Sequence, residues 1–346
     1  MISHSPKARI DQCRRQVSRW PASVSEPLRK KFRTLISVLQ AAVSLALLAA
    51  LLSGPGFRAR LSSVLLSADP RWLAAGVLLA GAVQFLWLVR WRIFLKMTGV
   101  TIGPAESAGI FFAGLFCNLF LPGGAGGDVV KIGLLAARGH DAARVALSVV
   151  MDHLAGTVSM IVLGASLIAW KFPWLTASPV VAGLIHAIAL CLSAFALLLV
   201  VSVSLSAPGI SSRLPARWPG RAKVIELSGV YFQCAIQWPR TLFSLAVSLI
   251  MLALFFLTYY FSARAYGVDP GVGNFLSLMP AVDIISGLPV SLGGLGVREG
   301  LFAFLLGSLA SVPPPTAIAI SLAGYMMSAV WGLPGAFLWL LHRKKT

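Results

Sequence analysis

The chain has 346 residues, 58% of them hydrophobic and 12% charged, and its mean hydropathy is +0.84. Soluble domains carry about a quarter charged residues, so this composition excludes a soluble enzyme or binding module and predicts an all-α polytopic membrane protein. The formal net charge of +18 lies in the N-terminal tail, the loops and the C-terminus, with no aromatic-interleaved platform; it reads as membrane orientation and contact with anionic headgroups, not as nucleic-acid binding.

Residues 1–34 are polar and basic, with Arg14, Arg15, Lys30, Lys31 and Arg33 among them. They are too long and too charged for a signal-peptide n-region and read as a cytoplasmic tail. The membrane unit occupies 35–346. Residues 35–52 form a first apolar span, at about the minimum length for crossing hydrocarbon. Residues 57–72 are mixed, with Arg58, Arg60 and Arg71, and read as an interfacial helix. Residues 72–89 make the second span, which ends on Arg90, Arg92 and Lys96.

The third apolar run, 104–121, leads into Asn118-Leu119-Phe120-Leu121-Pro122-Gly123-Gly124-Ala125-Gly126-Gly127-Asp128-Val129-Val130-Lys131. Residues 145–170 are a continuous span interrupted by Asp152 and His153, and 180–205 are another. A basic polar loop is expected over 206–241, then a span at 242–266. Residues 274–288, with Asp283 inside them, lead into Gly287-Leu288-Pro289-Val290-Ser291-Leu292-Gly293-Gly294-Leu295-Gly296-Val297-Arg298-Glu299. An apolar run at 301–310 and a last span at 316–341 follow, closed by His342-Arg343-Lys344-Lys345.

Positive charge belongs on the cytoplasmic side. If 104–121 crossed fully, Lys131, Arg138 and Arg144 would face outward. If the chain enters from the cytoplasm and turns back at the glycine break, they stay inside. The second expectation gives six full spans plus two re-entrant hairpins, with both termini cytoplasmic. Each half, about 35–172 and 178–342, then reads span, span, broken hairpin, span, and the second half is inverted. Inverted repeats with discontinuous helices place a transporter's site at the repeat interface.

Backbone polar groups within hydrocarbon must be satisfied, so a Pro-Gly break at that depth needs protein or a wet cavity around it. Exposed amides at a helix start can bind an anion, and Asp128 and Lys131, one turn apart, can pair or can face a zwitterionic headgroup. Asp128 as a helix N-cap is the simpler alternative, and Glu299 near a helix start suits the dipole. Asp152 and Asp283 are intramembrane acids, costly without partners; His153 and Arg144 are the expected partners of Asp152. Arg90 and Arg92 are either positive-inside anchors or a phosphate clamp beside the first break. The glycine runs match neither a dinucleotide fingerprint nor a Walker loop. Cys13, Cys117, Cys191 and Cys234 are scattered, the five histidines lack zinc spacing, and neither metal nor cofactor is expected.

The two glycine motifs and the Asp152 span resemble the flippase-like membrane domain of lysylphosphatidylglycerol synthases, a family with stand-alone members that are often associated with glycosyltransferases. The resemblance covers about residues 35–342. It carries site roles to Asn118, Pro122, Gly123, Gly124, Gly127 and Asp128, and to Gly294, Gly296 and Glu299. Arginine is common in that pattern where Lys131 stands, and Asp-Arg where Asp152-His153 stands. The resemblance implies lipid translocation, or lipid binding beside a lipid-modifying enzyme, and the expected location is the cell (inner or cytoplasmic) membrane. The synthases' soluble aminoacyl-transfer domain has no room here, so transfer of lysine by this chain alone is not expected.

The leading expectation is therefore a lipid flippase. Its cargo would be an anionic phospholipid or a polyprenyl-phosphate-linked lipid. Its headgroup site would comprise both glycine motifs (Asn118, Pro122, Gly123, Gly124, Gly126, Gly127; Pro289, Gly293, Gly294, Gly296) with Asp128, Lys131, Arg144, Asp152, Asp283, Glu299, Arg90 and Arg92. The alternatives are a membrane-embedded transferase with Asp128 or Asp152 as base, and a non-catalytic partner of a glycosyltransferase.

Overall fold

The computed structural model describes residues 39–51, 53–54, 56–120, 126–207, 221–288 and 290–336, and no strand occurs among them. The basic tail, Pro122, Gly123, Gly124, Pro289 and the C-terminal basic run lie outside the described residues. In chain order the helices are α1 (Leu39–Leu51), α2 (Phe57–Leu66), α3 (Pro70–Met97), α4 (Pro104–Phe120), α5 (Gly126–Ala137), α6 (Ala142–Trp170), α7 (Phe172–Leu175), α8 (Pro179–Ser206), α9 (Arg221–Ile236), α10 (Trp238–Ala265), α11 (Val272–Ser286), α12 (Val297–Ala310) and α13 (Pro314–Ala329).

Among the described residues, five segments are long and apolar enough to cross a bilayer: Pro70–Met97, Ala142–Trp170, Pro179–Ser206, Pro239–Ala265 and Pro314–Ala336. The protein is thus an all-α polytopic membrane protein, as its composition predicts. The described part of the first expected span, α1, is a shorter apolar helix. The expected loop over 206–241 is corrected: it contains helix α9. Its charged residues concealed a helix that lies along the bundle, with the Tyr231 and Ser202 hydroxyls 2.8 Å apart.

Local chemistry sets the helix starts. Pro70 follows Asp69, whose carboxylate accepts the Arg71 N–H, and Asp141 does the same for Ala143 and Arg144 at the start of α6, the usual N-cap arrangement. At α12 the cap is reversed: the Glu299 carboxylate reaches back to the Gly296 N–H at 2.6 Å. Gly296 has φ +84°, a conformation that glycine adopts without a Cβ penalty.

The long helices run alternately between two ends of the bundle. α3 lies antiparallel to α10, with Trp72 against Phe261, Asp69 N–H on the Ala265 carbonyl, and Arg90 on Ser248 further along. α10 is antiparallel to α13, with Ser262 bonded to the Ile320 carbonyl and Tyr259 beside Gly324. One end of the bundle gathers Gly99 beside Arg144, and Arg144 on Glu226 of α9. The opposite end gathers Asp69 and Ala265, with Trp170 against Gly273.

The two broken segments are helical hairpins that each return to the end they came from. In the first, α4 and α5 run antiparallel: Glu106 near the start of α4 pairs with Arg138 just after α5 at 2.7 Å, and Asn118 near the far end of α4 meets Gly127. In the second, α11 enters from the opposite end, Ser286 meets Gly294 at the turn, and Phe275 packs on Phe302 on the way back. Each hairpin sits in a core of its own. Trp91, Leu95, Ile110, Phe111 and Leu135 enclose the first; Phe256, Phe275, Leu278, Phe302 and Leu305 enclose the second.

Helix contacts in the first hairpin are close enough to exclude a methyl group. A Cβ on Gly127 would stand 2.3 Å from the Gly114 carbonyl oxygen, an atom of the backbone that cannot swing away. Gly127→Ala therefore forces α4 and α5 apart, at a cost of about 1–3 kcal/mol, as overpacking does. A thermal melt of the detergent-purified protein reads the loss, and Gly133→Ala, where a Cβ meets nothing within 4 Å, serves as the neutral control.

Candidate functional site

The second glycine motif and the long helices line a cavity of about 520 Å3. Its wall draws on both halves of the chain. Trp87 of α3 and His153 of α6 face Asp283 and Ser286 of α11, Gly293 and Gly294 of the second glycine motif, and Arg298 of α12. Gly293 and Gly294 hold φ at 58° and 78°, which lets the backbone turn at the cavity edge with no side chain in the way.

Behind Trp87 and His153 lies a buried ionic layer. Arg90 grips Asp152 with two bonds, Nε to Oδ1 at 2.7 Å and an Nη to Oδ2 at 3.0 Å. The same Oδ2 accepts from Trp87 Nε1 at 2.8 Å, and a second Nη of Arg90 reaches Ser248 of α10 at 3.1 Å. Asp152 is therefore held by Arg90, not by His153 or Arg144. His153 points elsewhere because adjacent residues on a helix differ by about 100° in direction: its Nε2 lies 2.7 Å from Asp128 Oδ2. Asp128 Oδ1 faces Lys131 Nζ at 3.2 Å. The Lys131 ammonium is only 5.1–5.5 Å from the ring centroids of Trp87, Trp91 and Phe111, an aromatic surround that stabilises a desolvated cation.

A second ionic layer lies behind Arg298. Glu299 is fully buried and accepts from the Gly296 N–H, from Ser321 Oγ at 2.9 Å and from Arg298 at 3.4 Å. The Arg298 guanidinium also stacks over the Tyr325 ring at 4.4 Å. Asp283, by contrast, lines the cavity, and its carboxylate makes no hydrogen bond or ion pair with a described residue. Two hydroxyls on the wall are likewise without partners, Ser286 Oγ and Ser291 Oγ.

Of the residues singled out in the sequence, Asp283, Gly293 and Gly294 line the cavity. Arg90, Asp152, Asp128, Lys131 and Glu299 form the layers behind it. Asn118 and Gly127 close the first hairpin with a 2.5 Å bond between the Asn118 side chain and the Gly127 N–H; Gly126 opens α5 beside them. Two residues are separated from the group. Arg144 lies more than two turns from Asp152, at the end of the bundle, half-exposed and paired with Glu226 at 2.9 Å. Arg92 is on the other face of α3 from Arg90, since two helical residues are about 200° apart, so the two do not form a clamp.

Sequence reading missed Trp87, His153 as the partner of Asp128, and Arg298. Arg298 had a legible signal: a cation in the first turn of a helix opposes the helix dipole, and such a residue needs a specific partner. Trp87 is one turn before Arg90 and shares its face.

The sequence matches a known family. The model of the lysylphosphatidylglycerol synthase TM region aligns with residues 37–334 of this chain. The chain belongs to this family. A UPF0104 membrane protein of Methanothermobacter thermautotrophicus is 24% identical over 350 aligned positions, covering 92% of this chain and 97% of that protein. The family match contains both hairpins and every helix that contributes to the cavity.

Proposed function

We propose that this member of the family binds the headgroup of a membrane lipid in the cavity between its two halves and carries it between the leaflets. The observation that carries the reading is the cavity itself. Polar groups of both halves converge on it, within helices otherwise suited to hydrocarbon, and intramembrane charge of this kind marks substrate pathways.

An inverted repeat supports the reading. Corresponding helices start 168 residues apart (70 to 238, 104 to 272), then 171 (126 to 297) and 172 (142 to 314). The corresponding helices α3 and α10 run antiparallel, as a two-fold axis in the membrane plane requires. The packing is exchanged as well: α6 lies on α11 through Gly164 and Pro280, while the segment after α13 lies on α4 through Gly335 and Phe112. Both hairpins are then re-entrant, one from each side. The end carrying Lys96, Arg138 and Arg144 is cytoplasmic by its charge, and with it the two termini, in a cell membrane. A cysteine introduced at Arg138 in a cysteine-free chain is expected to react with a membrane-impermeant maleimide only from the cytoplasmic side; reaction from outside refutes the first re-entrant hairpin.

The lining also bears on the cargo. Arg90, Lys131 and Arg298 are matched by Asp152, Asp128 and Glu299, so a bare phosphate must compete with three carboxylates. Asp283, Ser286 and Ser291 favour the hydroxyl or amine groups of a headgroup, with the phosphate of the phospholipid or polyprenyl-linked lipid left nearer the surface. The transferase alternative needs Asp128 or Asp152 as a free base, and both are engaged in ion pairs. The test is movement of headgroup-labelled lipids in proteoliposomes: faster transfer than in empty vesicles supports the reading, and transfer no faster sinks it. Product formed from an added lipid donor would instead favour a transferase, alone or with a glycosyltransferase partner.

A further inference from the structure

We propose that His153 is the coupling-ion site of this transporter and that the ion is a proton. This deepens the lipid-transport reading and rests on it. The His153 side chain lines the cavity and is 58% exposed, whereas its partner Asp128 is 12% exposed and Lys131 behind it 4%. A proton in cavity water therefore reaches the imidazole without passing through the buried pair. Nε2 faces Asp128 Oδ2 at 2.7 Å and keeps its hydrogen there as donor, so Nδ1 is the atom that gains and releases the proton.

The consequence is mechanical as well as electrostatic. Asp128 belongs to the first hairpin and His153 to the long helix α6. Proton uptake at Nδ1 converts a neutral-donor bond between them into one between imidazolium and carboxylate, roughly twice as strong. It also adds a positive charge to the wall that Asp283 and Arg298 share. Most of the neighbouring charges are already held by partners, and His153 is open to the cavity. On its own helix Asp152 is held by Arg90 of α3, and on α5 Lys131 is held by Asp128. From α10, Tyr259 faces the cavity; from α11 and α12, Asp283 and Arg298 do. Histidine ordinarily changes charge between about pH 5 and 8; Asp283 is the other proton-accepting group on this wall, and the His153 variants separate the two.

A sodium ion is a poor fit for the same position. Both Asp128 oxygens are engaged, one by an ammonium and one by the imidazole. Among the described residues no three His, Cys, Asp or Glu side chains converge.

The experiment follows transfer of tail-labelled phosphatidylglycerol in phosphatidylcholine–phosphatidylglycerol vesicles that hold the full-length chain, at matched internal and external pH between about 5 and 8. Wild type is expected to change rate by about fivefold or more across that range, the lower bound of ordinary coupling between sites. His153→Gln, which keeps a donor but no titration, and His153→Arg, which fixes the charge, are both expected to give flat profiles. An active wild type with a flat profile overturns the proposal and leaves lipid transport standing, as does a His153→Gln variant with the wild-type profile. If wild type moves no lipid at any pH, the transport reading fails for this lipid. The proton site is then decided by 15N-histidine NMR of the purified chain. A resonance that is missing in His153→Gln, titrates in this range and is displaced by Asp128→Asn supports it; a resonance that does not titrate overturns it.

Discussion

Arg90→Met is expected to destabilise the protein by about 3–5 kcal/mol, the cost of leaving a buried charge without its partner. The Arg90 and Asp152 side chains are 3% and 4% exposed, so no water compensates Asp152 once the guanidinium is gone. Trp87 and Ser248 lose a common anchor in the same step, and with them the tie between α3, α6 and α10. The double variant Arg90→Met with Asp152→Leu removes both charges and is expected to recover most of the loss, because a well-packed apolar pair often substitutes for a buried ion pair. Arg92→Met, two residues along the same helix, is expected to stay within about 0.5 kcal/mol of wild type. Thermal melts of wild type, Arg90→Met, Asp152→Leu, the double variant and Arg92→Met in one detergent decide the matter. Equal losses at 90 and 92, or a double variant as unstable as the sum of the singles, would show that Arg90 is only a topology anchor.

That contrast shows what the sequence makes legible. Hydrophobic run length locates the long helices, and the Pro-Gly breaks fall between the paired helices of each hairpin, because these signals are local. Charge bookkeeping alone favours a first hairpin that returns to its starting side, and the Glu106–Arg138 pair joins its two ends in the structure. Partner choice is not local. Asp152 has three basic candidates, and the selection of Arg90 over His153 and Arg144 depends on how α3 and α6 are rotated against each other. The helix α9 was hidden for a related reason: its charged residues give no apolar run, and it is held by contacts such as Arg144–Glu226 that lie 82 residues apart in sequence.

The two broken segments are held by different chemistry. The family match covers both halves together, but the two ionic layers are not copies. The first ties a hairpin to two long helices through Asp128, Asp152 and Arg90. The second is closed within α12 and α13, through Glu299, Arg298 and Ser321.

Asp283→Asn is expected to make the protein more stable and much less active. Asp283 stands on α11 at the cavity wall, and the nearby cation Arg298 is already taken up by Glu299, Ser321 and Tyr325. A carboxylate kept in an apolar bundle without a bonded partner costs folding free energy, and asparagine has nearly its shape with no charge. The variant is expected to melt at a higher temperature than wild type, the direction typical of substitutions that relieve a functional site. Lipid transfer is expected to fall by tenfold or more, since a hydrogen bond to a charged group contributes about 1.5–3 kcal/mol and about 1.4 kcal/mol is a factor of ten. Asp283→Glu keeps the charge and should retain more activity than the asparagine variant. The two readouts separate the explanations. A variant that loses both stability and transport marks Asp283 as a structural acid with a partner in the folded protein. A variant that gains stability and transports normally removes Asp283 from the headgroup site. Only the opposed pair, higher melting with lost transport, identifies an acid whose partner is the cargo.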